Sequence, residues 1–216
     1  MAFDVLDEHE QGEQVQKWLR ENAMSILIGI GLGLVLLFGW QQWRTHRAQH
    51  SLDAAVQFDA LGANAAKKDF EAVKQIAAKL QSDYSDTPYG ALAAMRAADL
   101  ASERGDNEAA YASLDWAWQH AGMDAMKLVA GLNLARVQIA RNKAQDALDV
   151  LDKLPKGGLE SSAAELRGDA LLSLGRKEDA RAAYAEALSH IEAGSGSKSF
   201  IEMKLNDLGG AEKKGS

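Results

Sequence analysis

The chain has 216 residues, a formal net charge of −7 at pH 7, two prolines and no cysteine. Abundant alanine and scarce proline favour helices over sheet, so we expect an all-α fold. The acidic balance argues against nucleic-acid binding, because affinity for phosphate needs clustered Lys and Arg. The lack of cysteine excludes disulfides and a thiol nucleophile, and it fits an oxidising and a reducing compartment equally well.

An acidic N-terminal tail, residues 1–21, precedes a stretch without charged side chains, residues 22–43. About 22 residues of helix span roughly 33 Å, which is enough to cross the hydrocarbon core of a bilayer. A cleaved signal peptide would begin with a short basic segment and end in small residues, whereas here Trp40 and Trp43 close the apolar run. Residues 22–43 are therefore predicted to form an uncleaved transmembrane anchor.

The charges beside this anchor do not set its orientation. The positive-inside rule counts Lys and Arg near the ends of a membrane helix. Lys17 and Arg20 lie before the anchor, and Arg44 and Arg47 lie after it, so the count is a tie. The residues alone leave open which side of the membrane holds the rest of the chain.

Three small residues in the anchor, Ser25, Gly29 and Gly33, recur every four positions and so share one helix face. Small side chains at this spacing allow a second transmembrane helix to approach closely. These residues form the candidate contact face for a membrane partner. The alternative is that they reflect only the general frequency of glycine in membrane helices.

Residues 44–194 are predicted to form a repeat domain. The segment Ala164–Leu188 has a glycine where two helices would cross, a glycine that ends the first helix, and small and aromatic residues along the second. These marker residues are, in order, Gly168, Gly175, Ala180, Tyr184 and Ala187. Their order resembles the tetratricopeptide repeat.

Looser copies of this pattern precede it, with turns at Lys68, Gly105 and Asn142. The resemblance implies an all-α, right-handed superhelix of about four helix pairs, because such repeats bury their apolar faces only by stacking. The alternative is an irregular, alanine-rich helical bundle with one fortuitous match.

Residues 195–216 are predicted to contain a linker, a short helix and a disordered tail. Gly and Ser form the linker, and Ile201, Leu205 and Leu208 then recur at helical spacing. We expect this helix to cap the open face of the last repeat, with docking elsewhere as the alternative.

The sequence offers no catalytic constellation, so we expect no enzyme activity, no cofactor and no metal site. His46 and His50 share a helix face at a spacing that can serve two metal ligands. A third ligand and the glutamate of the metalloprotease motif are not evident beside them. A metal hydrolase is therefore the weakest of the functions considered.

Binding is the remaining function class. In tetratricopeptide repeats the first helix of each pair lines the concave surface, and the corresponding positions here are mostly apolar. The candidate groove residues are Phe58, Leu92, Met95, Val129, Leu132, Arg136, Ile139 and Leu172. Asp99, Glu165 and Asp169 add scattered charge. Such a face suits apolar protein segments, whereas a register shift of one residue would place many of these side chains in the core.

Nearly the whole chain is similar to the YfgM family, the ancillary SecYEG translocon subunits of Gram-negative bacteria. The residues that carry the resemblance are Val15–Leu19, Trp40–Arg44, Gly168 with Asp169, Ala180–Tyr184 and Met203–Leu205. It implies a single-pass inner-membrane protein with a cytoplasmic N-terminus and a periplasmic repeat domain. It also implies association with SecYEG, with a membrane-anchored periplasmic chaperone of the PpiD type, and with secreted client proteins.

These features together predict a noncatalytic accessory of the Sec translocon whose repeats bind chaperone partners, emerging secreted proteins, or both. The alternative is a membrane-tethered tetratricopeptide scaffold or regulator of the cell envelope that does not contact the translocon.

Overall fold

The computed structural model describes residues 8–191 and 196–209, with side chains described from residue 12 onward. The start of the acidic tail, the first part of the Gly-Ser linker and the tail from residue 210 lie outside the described residues. The described part is all-helical, as predicted, and it separates into two compact units, one ending at His50 and the other beginning at Ser51. The helices are α1 (Glu8–Ala66), α2 (Phe70–Asp83), α3 (Pro88–Glu103), α4 (Asn107–His120), α5 (Asp124–Ala140), α6 (Ala144–Leu151), α7 (Glu160–Ser173), α8 (Lys177–Ser189) and α9 (Ser197–Asp207).

The first unit contains a stretch of α1 that is long and apolar enough to cross a membrane, and none of its most apolar window is buried against protein. Leu36 and Phe38, for example, are 72% and 67% exposed. Exposing apolar surface to water is unfavourable by about 25 cal/mol per Å². A bilayer is therefore the environment that this surface fits, in agreement with the predicted anchor.

The second unit consists of four helix pairs followed by α9. The pairs are the last turns of α1 with α2, α3 with α4, α5 with α6, and α7 with α8. Its core is built largely from alanine and leucine, and neighbouring pairs share it. One cluster joins the end of α1 to α2 and α3, and another joins α5 to the helices up to α9. This sharing is what stacked repeats require, because one pair cannot bury its apolar face alone.

The two helices of each pair are joined by the same kind of turn. A residue with left-handed φ follows each first helix: Lys68 (57°), Gly105 (74°), Asn142 (59°) and Gly175 (75°). The N–H of the next residue donates to the carbonyl five positions earlier, at 2.8–3.0 Å. This hydrogen bond is that of the Schellman motif, which satisfies carbonyl groups at a helix end. The four predicted turns are confirmed.

Two helix crossings are close because a glycine faces an aromatic ring. A Cβ added to Gly168 of α7 would lie 2.5 Å from Cδ1 of Tyr184 on α8. One added to Gly131 of α5 would lie 2.5 Å from Cζ3 of Trp118 on α4. These separations leave no room for a side chain, so the rings fill the crossings. The close crossing at Gly168 is the one that the repeat pattern predicts, and the structure adds that Tyr184 fills it.

Helix α9 caps the last pair, as predicted. Ile201 is 1% exposed and belongs to the same core cluster as Tyr184. Lys204 Nζ lies 2.8 Å from Oε1 of Glu165 and 2.7 Å from Oδ1 of Asp169, both on α7. Burial lowers the pKa of Lys204, but the hydrogen bonds to Asp169 and Glu165 and the negative charges of these two carboxylates together raise it by more, so the pKa lies above its ordinary value.

Candidate protein-binding groove

A cavity of about 370 Å³ opens between α3 and α5, the first helices of the second and third pairs. Buried apolar side chains contribute to it from Ala98, Leu114 and Val137. The other lining residues are polar and come from both helices: Arg96, Asp99, Ser102, Glu103, Asn133 and Arg136. The cavity therefore combines an apolar floor with a polar rim.

The polar rim carries both signs of charge. Arg136 Nη1 donates to Asn133 Oδ1 at 2.6 Å, and Arg96 Nη1 lies 3.9 Å from Asp99 Oδ2. Partial burial raises the pKa of Asp99 above its ordinary value; Arg96 and Arg136 oppose this rise, and Glu103 adds to it. An arrangement of this kind gives specificity for a partner with complementary charges more than it gives affinity.

The structure places the predicted groove residues at different depths. Arg136 lines the cavity, and Val129 and Leu172 are 41% and 39% exposed. Leu132 is buried in the core. The remaining four are half-buried: Phe58, Leu92, Met95 and Ile139. Whether these positions bind a ligand stays a prediction.

The rim of this cavity is more polar than the sequence pattern predicts, and the register of α3 explains the difference. Met95 packs against a core cluster that includes Ala98 and Leu114. Arg96, which follows Met95, and Asp99, one turn further along α3, consequently line the cavity. Sequence reasoning missed four of the polar lining residues, Arg96, Ser102, Glu103 and Asn133, and the three apolar ones. The spacing of Arg96, Asp99 and Glu103 at i, i+3 and i+7 is the signal that could have found part of the set.

The candidate contact face of the anchor is open. Ser25 and Gly29 are exposed and Gly33 is half-buried. A Cβ added to Gly29 or Gly33 would meet nothing within 4 Å in the described structure. The face has room for another helix, and its role as a contact surface stays a prediction.

His46 and His50 lie on α1, exposed and half-buried respectively. Among the described residues, no group of three or more His, Cys, Asp and Glu side chains is placed to hold a metal ion. The two histidines thus have no third ligand of these types within the described part of the chain.

Comparison with known proteins gives two findings. A family model described as a tetratricopeptide repeat-like domain matches residues 16–210. Since the match begins before the apolar stretch and ends after α9, it takes in both units of the structure. The repeat pattern read from Ala164–Leu188 is therefore part of a family pattern that extends over most of the chain.

Three curated relatives are similar to the chain over nearly its whole length, and each is named an ancillary SecYEG translocon subunit. The relative from Escherichia coli K12 is 31% identical over 205 residues, covering 94% of this chain and 97% of the relative. The relative from Haemophilus influenzae is 29% identical over 211 residues, covering 96% and 100%. The relative from Aggregatibacter actinomycetemcomitans is 27% identical over 208 residues, with the same coverage.

Proposed function

We propose that this chain, which belongs to the family of ancillary SecYEG translocon subunits with a tetratricopeptide repeat-like domain, is a noncatalytic accessory of the Sec translocon. In this proposal the repeat domain holds a chaperone partner, an emerging secreted protein, or both. The anchor holds the protein in the inner membrane, with residues 1–21 in the cytoplasm and the repeats in the periplasm.

The observation that carries the proposal is the extent of the similarity. The E. coli relative aligns over 97% of its length, and the family model begins at residue 16. A soluble protein that shared only the repeats would not match through the apolar stretch. The apolar stretch and the repeats of this chain therefore both lie within the region that aligns with a protein named as a translocon subunit.

The groove between α3 and α5 supports a binding role for the repeats. Its rim presents Arg96, Asp99, Glu103 and Arg136, and the partial burial of Asp99 raises its pKa. Charged groups that are partly desolvated discriminate between partners, because a mismatched partner leaves them without a counter-charge. We infer that this surface holds a membrane-anchored chaperone of the PpiD type or a polar segment of a client.

Site-specific photo-crosslinking in intact cells tests the proposal. A photoreactive amino acid replaces Arg136 in the groove, and in a second variant it replaces Gly29 in the anchor. Lys74, exposed on α2, is the matched control position outside the groove. We expect chaperone or client adducts from position 136, SecYEG adducts from position 29, and neither from position 74.

Two results would count against the proposal. Reproducible adducts with other envelope proteins, without translocon, chaperone or client adducts, would favour the scaffold or regulator alternative. Equal adducts from positions 136 and 74 would show that the groove is not the binding surface.

A further inference from the structure

The segment of α1 at the end of the apolar stretch combines aromatic and cationic side chains. Trp40, Trp43, Arg44 and Arg47 are spaced at i, i+3, i+4 and i+7, so they lie along one face of the helix. The rings of Trp40 and Trp43 are 5.2 Å apart, and the Arg47 guanidinium carbon lies 5.3 Å from the centroid of the Trp43 ring. All four side chains are exposed. We call these four residues the cationic-aromatic face.

The two flanks of the anchor differ in charge, although each has two cations. Before the anchor, Lys17 and Arg20 lie among carboxylates that include Glu13 and Glu21. After it, Arg44 and Arg47 have no acidic residue beside them in the sequence until Asp53. Only the second flank therefore presents uncompensated positive charge to the surface of the bilayer.

We propose that the cationic-aromatic face docks on anionic phospholipid headgroups. The inference rests on the membrane-spanning part of the proposed function and is independent of the translocon. The uncharged run ends at Trp43, which places the indoles of Trp40 and Trp43 at headgroup depth, where such rings are enriched. Arg44 and Arg47 then reach the phosphates, which a guanidinium can bind through two parallel hydrogen bonds. The partner is an anionic lipid surface, and the recognised group is its phosphate.

The test uses the full-length protein in phosphatidylcholine vesicles, with trace spin-labelled phosphatidylglycerol or phosphatidylcholine. The measurement is the fraction of labelled lipid immobilised by the protein. We expect phosphatidylglycerol to be preferred by about fivefold for each arginine at low ionic strength. The variant R44Q/R47Q should reduce the preference to near onefold. The matched control K17Q/R20Q removes two cations from the other flank and should keep most of it.

Further arms separate the possible outcomes. R44K/R47K keeps the charge and should retain most of the preference. An unchanged preference in R44Q/R47Q would overturn the proposal. The proposal would also be overturned if inorganic phosphate abolished the preference for phosphatidylglycerol while chloride of equal ionic strength did not. The cationic-aromatic face would then bind free phosphate.

Carbonate extraction of the same vesicles distinguishes failure of this inference from failure of the anchor. A protein that carbonate extracts would contradict the membrane-spanning part of the proposed function. A protein that stays integrated but shows no lipid preference would contradict only the docking of the cationic-aromatic face.

Discussion

Gly168 leaves space for the Tyr184 ring at the crossing of α7 and α8. The substitution Gly168→Ala places a Cβ within 2.5 Å of the ring, so the helices must separate. We expect the free energy of unfolding to fall by about 1–3 kcal/mol. The measurement is urea unfolding of the full chain in detergent, followed by tryptophan fluorescence.

Gly62 provides the matched control for that substitution, because a Cβ there meets nothing within 4 Å and the residue lies inside α1. Gly62→Ala should raise the free energy of unfolding by about 0.5–1 kcal/mol, since alanine loses less backbone entropy in a helix. Equal effects of the two substitutions would show that the crossing does not depend on Gly168.

Asp99 is a groove residue whose charge is expected to reduce stability. Burial raises its pKa above the ordinary value, so the folded state binds the proton more tightly than the unfolded state does. Stability therefore falls as the pH rises from the ordinary to the folded pKa and stays lower above it. Asp99→Asn should stabilise the protein at pH 7 by less than about 1 kcal/mol, because about half of the Asp99 side chain is exposed to solvent, which screens its charge. The gain should vanish near pH 3.

The free energies of unfolding of the unsubstituted protein and of Asp99→Asn, measured between pH 3 and pH 7, give the stability gain. Asp59→Asn, on an exposed part of α1, is the control substitution. A stability gain from Asp99→Asn that persists undiminished at pH 3 would contradict the assigned cause.

At the scale of the secondary-structure element, α9 is held by one ion-pair cluster and by apolar packing of the buried Ile201, the partly buried Leu205 and, just after the helix, Leu208. Lys204→Met removes the cation between Glu165 and Asp169 and leaves two partly buried carboxylates without it. We expect a loss of about 1–3 kcal/mol in the free energy of unfolding. Hydrogen exchange in α9 should rise more than in α3. Lys198→Met, an exposed lysine of the same helix, should change both quantities much less.

The pH dependence of this cluster follows from the direction of the lysine shift. The pKa of Lys204 lies above its ordinary value of 10.5, so its stabilising contribution is complete below that pH. This contribution is lost as the pH rises through the pKa that Lys204 has in the folded state.

Lys198→Met is the control for the substitution of Lys204. If Lys198→Met loosened α9 as much as Lys204→Met does, the ion pairs of Lys204 with Glu165 and Asp169 would not be what holds the helix.

The elements that the sequence predicts are those with local causes. Gly175 and Asn142 adopt left-handed φ at turns, and Gly168 with Tyr184 follows the repeat pattern. The groove rim was harder to predict because α3 is rich in alanine on several faces, with Ala91, Ala93, Ala94 and Ala98 all buried. An alanine-rich helix gives no sharp hydrophobic period, so its register depends on tertiary packing. The pairing of Lys204 with α7 is likewise set by contacts 35 and 39 residues apart in the chain.

For the whole molecule, the proposed topology can be tested because the chain has no cysteine. A single Cys at Ala185, exposed on α8, reports the location of the repeats. With the proposed orientation, a maleimide that cannot cross the inner membrane should label it in cells with a permeabilised outer membrane. Labelling only after the inner membrane is broken would place the repeats in the cytoplasm and contradict the proposal.

The tied charges make this orientation sensitive to substitution. In K17Q/R20Q, the remaining cations Arg44 and Arg47 both follow the anchor, and the positive-inside rule then favours retaining that flank in the cytoplasm. We expect the labelled fraction of Cys at Ala185 to fall. R44Q/R47Q shifts the balance toward Lys17 and Arg20, so labelling should be maintained or increased. Labelling that changes equally in both pairs would mean that contacts other than the flanking charges set the topology.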